Sequence, residues 1–258
     1  MNSKLNRNEQ LEALDWLTQI DYGPRQSDFF RLRQPGTSEW LIESAEYQDW
    51  RETDKRTMLC LGIPGAGKTI LTAVVINDLT TNCSSMNNLG LAYIYCDFQR
   101  KNDQKAENLL ASILKQLSHC RSPLPTSVKM LYEKHKDRRT RPSLNELFRC
   151  LQSVVSLYAK VFLVIDALDE CETSDDSRNV FLSQIFDLQK ACSVNLLATA
   201  RPLPEIVERF SGDNLEIRAH ESDVEKYIEG RISQAGSELL KICKEEIKMK
   251  LTELADGM

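Results

Sequence analysis

Two short stretches and one arginine carry side chains whose types and spacing suit phosphate chemistry. The first, Gly62-Ile63-Pro64-Gly65-Ala66-Gly67-Lys68-Thr69, reads Gly-x4-Gly-Lys-Thr. Its glycines let the backbone wrap close to a phosphate chain with several N–H groups aimed inward, and a helix opening there adds its positive end. Lys68 supplies a mobile point charge for the outer phosphates, and Thr69 supplies a hydroxyl for magnesium. Gly62, Pro64, Gly65, Ala66, Gly67, Lys68, Thr69 and Ile70 are therefore the candidate nucleotide contacts. The second stretch, Asp166-Ala167-Leu168-Asp169-Glu170, follows the apolar run Val161-Phe162-Leu163-Val164-Ile165. A carboxylate at the tip of a buried strand lies at the ligand edge of an open α/β sheet. Asp166 is placed to hold magnesium together with Thr69, while Asp169 and Glu170 are candidates to orient or deprotonate an attacking water. Three carboxylates within five residues repel one another unless a cation is near. The arginine is Arg201, which ends the apolar run Leu196-Leu197-Ala198-Thr199-Ala200. At the same edge it can sense the terminal phosphate, or pair with a strand-end acid; the two roles are compatible.

These residues need a frame that brings three strand ends together. Thr57–Leu61 is a short apolar run ending at Gly62, and a helical pattern follows from about Lys68 to Leu79. Leu89–Phe98 reads as a second strand, and Glu107–Leu117 as a helix with Leu109, Leu110, Ile113, Leu114 and Leu117 at helical spacing. Ser143 is placed to cap a helix over Leu144–Tyr158. Val161–Ile165 is apolar on both faces, as a central parallel strand requires. A helix near Asn179–Gln189, a strand over Val194–Thr199 and a short strand at Leu215–Ile217 complete the alternation. Strands alternating with helices predict an α/β fold: a mostly parallel five-stranded sheet covered on both faces, a three-layer α/β/α sandwich. Ahead of it, residues 8–20 predict a helix, Asp21–Gly36 a loop, and Thr37 or Ser38 a cap for a short helix carrying Trp40, Leu41 and Ile42. Behind it, the tail from Ser222 reads as helical, with Leu239, Leu240, Cys243, Ile247, Leu251 and Leu254 on one side. The organisation expected is an N-terminal helical extension over 1–52, a nucleotide-binding core over 53–220 and a helical subdomain beginning at 221.

Composition narrows the partners. Of 258 residues, 33 are Lys or Arg and 38 are Asp or Glu, a formal charge of −5 that predicts no nucleic-acid partner. No apolar run reaches the ~18 residues of a membrane helix, and no secretory or mitochondrial leader pattern opens the chain, so a cytoplasmic location without membrane contact is expected. The eight cysteines contain no Cys-x-x-Cys pair and read as reduced thiols, with Cys60, Cys96 and Cys171 in or beside strands. Three scattered histidines offer no zinc cluster.

With the three strand ends in place, the chain resembles the NACHT type of STAND P-loop NTPases, the nucleotide switches of NOD-like receptors. The resemblance rests on the phosphate loop, on the strand end Asp166-Ala167-Leu168-Asp169-Glu170 with its small second residue, and on Ala198-Thr199-Ala200-Arg201-Pro202. The run Trp16-Leu17, Asp21-Tyr22, Gln26-Ser27-Asp28-Phe29, Arg33–Thr37 and Trp40-Leu41 is similar to nephrocystin-like modules of fungal NOD-like receptors. It implies that the Arg201 strand lies between the Gly62 and Asp166 strands, that Gly36-Thr37 lies near the base, and that a helical subdomain closes over it. Thr37 is therefore a nucleotide contact on this resemblance. It further implies ATP or GTP with magnesium, slow hydrolysis, and homo-oligomers in the triphosphate state. The chain stops at Ala255-Asp256-Gly257-Met258, in a segment where relatives continue, so 221–258 reads as a truncated subdomain.

Two other readings compete with a slow hydrolytic switch. One is a non-catalytic module that binds nucleotide and serves only for oligomerisation. The other is a small-molecule kinase, with Lys136-Asp137-Arg138-Arg139-Thr140-Arg141 as a lid, although a solvated basic loop before a helix explains that run better. No Asn-Lys-x-Asp segment for guanine of the Ras type is present. Asp97 reads as a strand-end cap rather than a group that approaches the terminal phosphate, and Trp16 and Trp40 as core anchors rather than base-stacking groups.

Overall fold

The computed structural model describes residues 7–85, 88–171, 176–210, 212–218, 220–235 and 250. Five strands, β1 (Thr57–Leu61), β2 (Leu89–Tyr95), β3 (Lys160–Asp166), β4 (Val194–Ala200) and β5 (Asp213–Glu216), form one sheet in the order β2-β3-β4-β1-β5. All pairings are parallel, rather than mostly so, with Leu61 opposite Ala200, Ile165 opposite Ala198 and Tyr95 opposite Asp166. β4, which leads into Arg201, thus lies between β1 and β3. All seven of its residues are buried, as the central strand of a two-sided sheet must be.

Helices α1 (Arg7–Leu17), α2 (Gly23–Leu32), α3 (Glu39–Glu43) and α4 (Ala45–Glu52) precede the sheet. α5 (Lys68–Ser85) follows β1; α6 (Ala106–His119), α7 (Thr126–Lys136) and α8 (Leu144–Val155) join β2 to β3; α9 (Ser177–Ala191) joins β3 to β4. α10 (Pro204–Val207) and α11 (Glu221–Ala235) flank β5. α5 carries the chain from β1 to the far edge at β2, and the later connections carry it back. Right-handed crossovers running in opposite directions place their helices on opposite faces, which makes the three layers. α5 buries Leu71, Val74, Val75, Ile76 and Leu79 around most of its circumference, because α2 and α3 cover the side turned away from the sheet.

Two buried polar anchors tie the leading helices to the sheet. The Trp50 indole N–H donates to the Leu196 carbonyl at 2.9 Å. Asn195, fully buried in β4, donates to the carbonyls of Trp50 and Thr53 and accepts from Arg56 N–H at 3.2 Å. A buried amide satisfied on both ends is what a strand interior tolerates.

The structure departs from the sequence reading at several places. Asp21–Gly36 is not all loop: α2 occupies Gly23–Leu32, with Pro24 in the first turn, where a missing N–H is harmless. The Gly-Pro pair is a helix start there, not a break. α7 was not expected either; Pro125 at its N-cap closes the preceding turn and opens the helix. Neither Thr37 nor Ser38 caps α3: Ser38 is left-handed at φ 64° with no side-chain cap, and the Thr37 hydroxyl donates to the Gln34 carbonyl at 2.7 Å. Ser143 does cap α8, in a reciprocal box with Glu146. That helix ends at Val155, and β2 ends at Tyr95, each three residues short of expectation. The apolar series Leu239–Leu254 lies outside the described residues.

Candidate functional site

The phosphate loop joins β1 to α5 at the carboxyl edge of the sheet, where Gly62 N–H donates to the Ala200 carbonyl at 3.1 Å. Gly65 and Gly67 adopt φ +87° and +83°, and a Cβ on either would meet nothing within 4 Å. They are glycines for backbone conformation, and the space they face is open. Gly62 differs: a Cβ there would approach the Ile217 carbonyl to 2.9 Å. Lys68 Nζ folds back onto the carbonyls of Gly62 at 2.7 Å and Ile63 at 2.9 Å.

Asp166 sits behind the loop, 2% exposed, and its carboxylate is held by three hydroxyls. Thr69 donates to Oδ2 at 2.8 Å; Thr72 and Thr199 donate to Oδ1 at 2.8 and 2.7 Å. The Thr199 oxygen in turn accepts from Ala167 N–H at 2.9 Å. Burial raises the Asp166 pKa above the usual carboxylate value, opposed by the hydroxyls of Thr199, Thr69 and Thr72 and by the Lys68 charge. Burial likewise lowers Lys68, opposed by Asp169 and Asp166. Each ion is thus pushed toward neutrality by its surroundings. An incoming anion at Lys68 and a divalent cation at Thr69 and Asp166 would relieve both, so the residues present fit a magnesium–phosphate pair.

Beyond Asp166 the chain turns sharply. Ala167 takes φ 51°, ψ 50°, which feeds the single 3-10 turn Leu168–Glu170. A small residue is required at this left-handed position because a larger or branched Cβ would clash with the following carbonyl. The turn separates the two remaining acids. Asp169 points into the protein, its side chain 3% exposed, and accepts from Arg201 Nε at 2.5 Å and from Arg201 N–H at 3.0 Å. That hydrogen bond, with the Asp169 charge, raises the Arg201 pKa further. Glu170 instead accepts through Oε2 from Phe98 N–H at 3.4 Å.

These groups share a cleft of about 630 Å³ whose walls include Pro64, Gly65, Gly67, Lys68, Thr69 and Ile70 of the loop, Asp169, Glu170 and Arg201 of the strand ends, and Phe98 and Lys101 beyond β2. Ile70, Gly65 and Gly67 also border a second, more apolar cavity of about 480 Å³, which contains Thr37, Trp40 and Ala66 together with Ile217, Val224 and Tyr227. Trp40 packs there against His220, ring centroids 4.5 Å apart and planes tilted by 34°. α11 closes this cavity: Lys226 Nζ donates to the Gly36 carbonyl at 2.6 Å, and Asp223 accepts from Ser38 N–H at 2.7 Å. Every predicted site residue except Asp166 and Gly62 therefore lines one of two adjoining cavities, with Asp166 bonded directly to Thr69.

Sequence reasoning missed Thr72, Phe98 and Lys101, and gave Thr199 no role. Thr72 lies one helical turn after Thr69, and Thr199 two residues before Arg201 on the strand that leads to it, so spacing could have found both. The basic run 136–141 is not at the site: Arg141 donates to the carbonyls of Trp16 and Leu17, and none of the run lines the phosphate cleft. Asp97 does cap its own turn, accepting from Gln99 N–H at 2.9 Å. Cys60 is pushed up to about 12 and Cys150 to about 11 by burial, as befits inert core thiols.

A parallel sheet of this order, with a Gly-x4-Gly-Lys-Thr loop after β1 and an acid at the tip of β3, defines a P-loop NTPase module. The chain belongs to the family described as nephrocystin 3, N-terminal, whose model matches residues 36–201. Among solved structures it is similar to the Walker-type ATPase PABY2304 of Pyrococcus abyssi, at 13% identity and a TM-score of 0.51, over 80% of this chain and 62% of that one. It is also similar to the Aeropyrum pernix ORC1 protein in complex with DNA, at 17% identity and a TM-score of 0.49, over 86% of this chain and 53% of that one. The chain therefore spans about half the length of that ORC1 protein. No curated protein matches the sequence. Among the described residues no helix is long and apolar enough to cross a membrane.

Proposed function

We propose that this module binds a purine nucleoside triphosphate with magnesium, hydrolyses it slowly, and works as a NACHT-type switch whose triphosphate state self-associates. The observation that carries this is the Thr69–Asp166 contact at 2.8 Å, set at the floor of a cleft walled by Lys68, Glu170 and Arg201. A bound magnesium nucleotide supplies the electrophilic phosphorus and the cation that offsets charge on the outer phosphates. Lys68 leaves the loop carbonyls for the outer phosphates, and Thr69 and Asp166 hold the cation. Glu170, with Oε2 committed to Phe98 N–H, accepts a proton from water at Oε1. Asp169 serves a different end from Glu170: it holds Arg201 at the cleft rim. The base occupies the cavity of Thr37 and Trp40. Because α11 forms a wall of that cavity and bonds to Gly36 and Ser38, nucleotide occupancy reaches the segment that follows the core. Adenine and guanine remain alternatives, and a cytoplasmic site of action accompanies this reading.

A second reading, a non-catalytic binding module, draws on the two hydrogen bonds that Arg201 gives Asp169, from Nε and from its backbone N–H, which turn Nε away from a phosphate. Binding of fluorescent ATP and single-turnover hydrolysis separate the two. Lys68→Ala should abolish binding; Glu170→Gln should bind normally and lose turnover. Equal hydrolysis by wild type and Glu170→Gln would remove Glu170 from its role, and turnover absent from wild type with binding intact would leave the binding module.

A further inference from the structure

The N-terminal helices contribute a residue to the site that neither the phosphate loop nor the matched family region contains. Arg25 lies on α2, before residue 36, where the family match begins. It borders a third cavity of about 480 Å³, directly beyond Thr69, that Asp97, Asp166 and Glu170 share. Its Nη2 donates to Asp97 Oδ2 at 2.6 Å, a pair whose side chains are about three-quarters buried, at 27% and 25% exposure.

Asp97 lies two residues past the end of β2, in the loop that reaches Glu170. Its own N–H donates to Gln104 Oε1 at 3.2 Å, its carbonyl accepts from Gln104 Nε2 and from Arg100 N–H, and its Oδ1 accepts from Gln99 N–H. Asp97 thus organises the whole turn from 97 to 104. The next residue, Phe98, gives its N–H to Glu170 Oε2. Phe98 is 61% exposed, so nothing buries its ring to hold that amide in place. The amide is positioned from its other side, by Asp97 and Arg25.

Arg25 is itself well fixed. The neighbouring Gln26 donates to the Ala73 carbonyl of α5 at 2.9 Å and accepts from the Tyr95 hydroxyl of β2, and Phe29 meets the Tyr95 ring at 5.1 Å. α2 is thereby bound to the helix that carries Lys68 and Thr69 and to the strand that leads into Asp97. A charge-assisted hydrogen bond on a rigid support is a strong positioning contact.

We infer that Arg25 is a positioning residue for Glu170, acting through Asp97 and the Phe98 amide, so that the leading helices set the orientation of the water-activating carboxylate. This rests on the hydrolytic reading above. It makes hydrolysis sensitive to anything that moves α2 on α5, independently of nucleotide affinity.

The experiment uses the full chain, ATP with magnesium, and four forms: wild type, Arg25→Ala, Arg25→Lys, and the reversed pair Arg25→Asp with Asp97→Arg. Three quantities are read: fluorescent-ATP affinity, turnover, and amide hydrogen exchange. Arg25→Ala should lower kcat about tenfold with KM within about twofold, inside the ~10²-fold that a misplacement of ~1 Å can cost. Exchange over 97–104 should quicken, while exchange over 57–69 stays as in wild type. Arg25→Lys keeps the charge but not the planar fork, and should lose about threefold. The reversed pair restores the ion pair but removes the carboxylate that accepts from Gln99 N–H, so it should recover part of the turnover lost in Arg25→Ala. Unchanged or raised turnover in Arg25→Ala overturns the inference, as does loss of affinity equal to loss of turnover, or failure of exchange over 97–104 to change. If Arg25→Ala does not fold, Arg25→Lys and the reversed pair decide by the same measures. Wild type that binds ATP without turnover defeats the hydrolytic reading itself, a result distinct from an active wild type matched by Arg25→Ala.

Discussion

Thr199→Val tests whether Asp166 is held by its hydroxyl cradle. Valine has the outline of threonine with a methyl in place of the hydroxyl, so the change removes one hydrogen-bond donor and acceptor and keeps the bulk. That hydroxyl is fully buried, donates to Asp166 Oδ1 at 2.7 Å and accepts from Ala167 N–H at 2.9 Å. Losing a hydrogen bond to a charged group costs about 1.5–3 kcal/mol, and the orphaned amide about 1–3 kcal/mol more. With partial relaxation the expected loss is about 3 kcal/mol, a large share of the ~5–15 kcal/mol that holds a domain folded. The effect should depend on pH in a set direction. Asp166 already has a raised pKa from burial, and the Thr199 hydrogen bond lowers it, so the substitution raises it further. A raised acid penalises the folded state above its folded pKa, and the penalty lifts as pH falls through that value. The deficit of Thr199→Val is therefore largest at neutral pH and shrinks in acid. Urea denaturation at a series of pH values measures it. Thr69→Val is the control: its hydroxyl is partly exposed, so stability should fall by under about 1.5 kcal/mol while magnesium-dependent nucleotide affinity collapses. A Thr199→Val deficit below about 1 kcal/mol at neutral pH, or one that grows in acid, would show that the cradle does not hold Asp166 as an ion.

Two further outcomes follow from local geometry. Ala167→Val places a branched side chain at φ 51° and should destabilise by about 2 kcal/mol in chemical denaturation, whereas Ala167→Gly should be neutral or mildly stabilising; equal melting of the two variants would remove the steric account of the small residue. Glu146 is held far below its usual 4.5 by the Lys134 ammonium and by the Ser143 N–H and hydroxyl. A depressed acid contributes stability above its unfolded pKa and loses it as pH falls through the folded one. The melting temperature of Glu146→Gln should lie below wild type at neutral pH and converge with it in acid, and a gap that persists in acid would assign the effect to packing instead.

Much of the architecture was legible because its causes are local. Apolar runs of strand length alternated with helical periodicities, and Ser143 marked a helix start that the structure realises as a capping box with Glu146. What failed locally failed for a reason that neighbours in sequence do not reveal. Gly23-Pro24 suits a loop and a helix start alike, and α2 forms because Phe29 and Gln26 find Tyr95 and Ala73 from other elements. Similarly, Ser38 was a candidate cap, but it takes φ 64°, and its N–H goes to Asp223 far along the chain.

At the site, the sequence by itself determined the parts whose conformation is their own: two glycines at positive φ, a small residue at the left-handed turn, and acids and an arginine just past the ends of apolar strands. Those follow from steric limits and periodicity within a few residues. It could not distinguish Asp169 from Glu170, two adjacent acids with the same chemistry. Only tertiary structure decided that Asp169 turns inward to Arg201 while Glu170 faces Phe98 and the cleft. The order of strands brings β4 between β1 and β3, and that placement sets which side chain each acid meets. Likewise Thr72, Thr199 and Arg25 became part of the site through contacts spanning 33 to 94 positions. A hydrogen bond is decided by distances of a few tenths of an ångström, and such distances between remote segments exist only once the sheet is assembled.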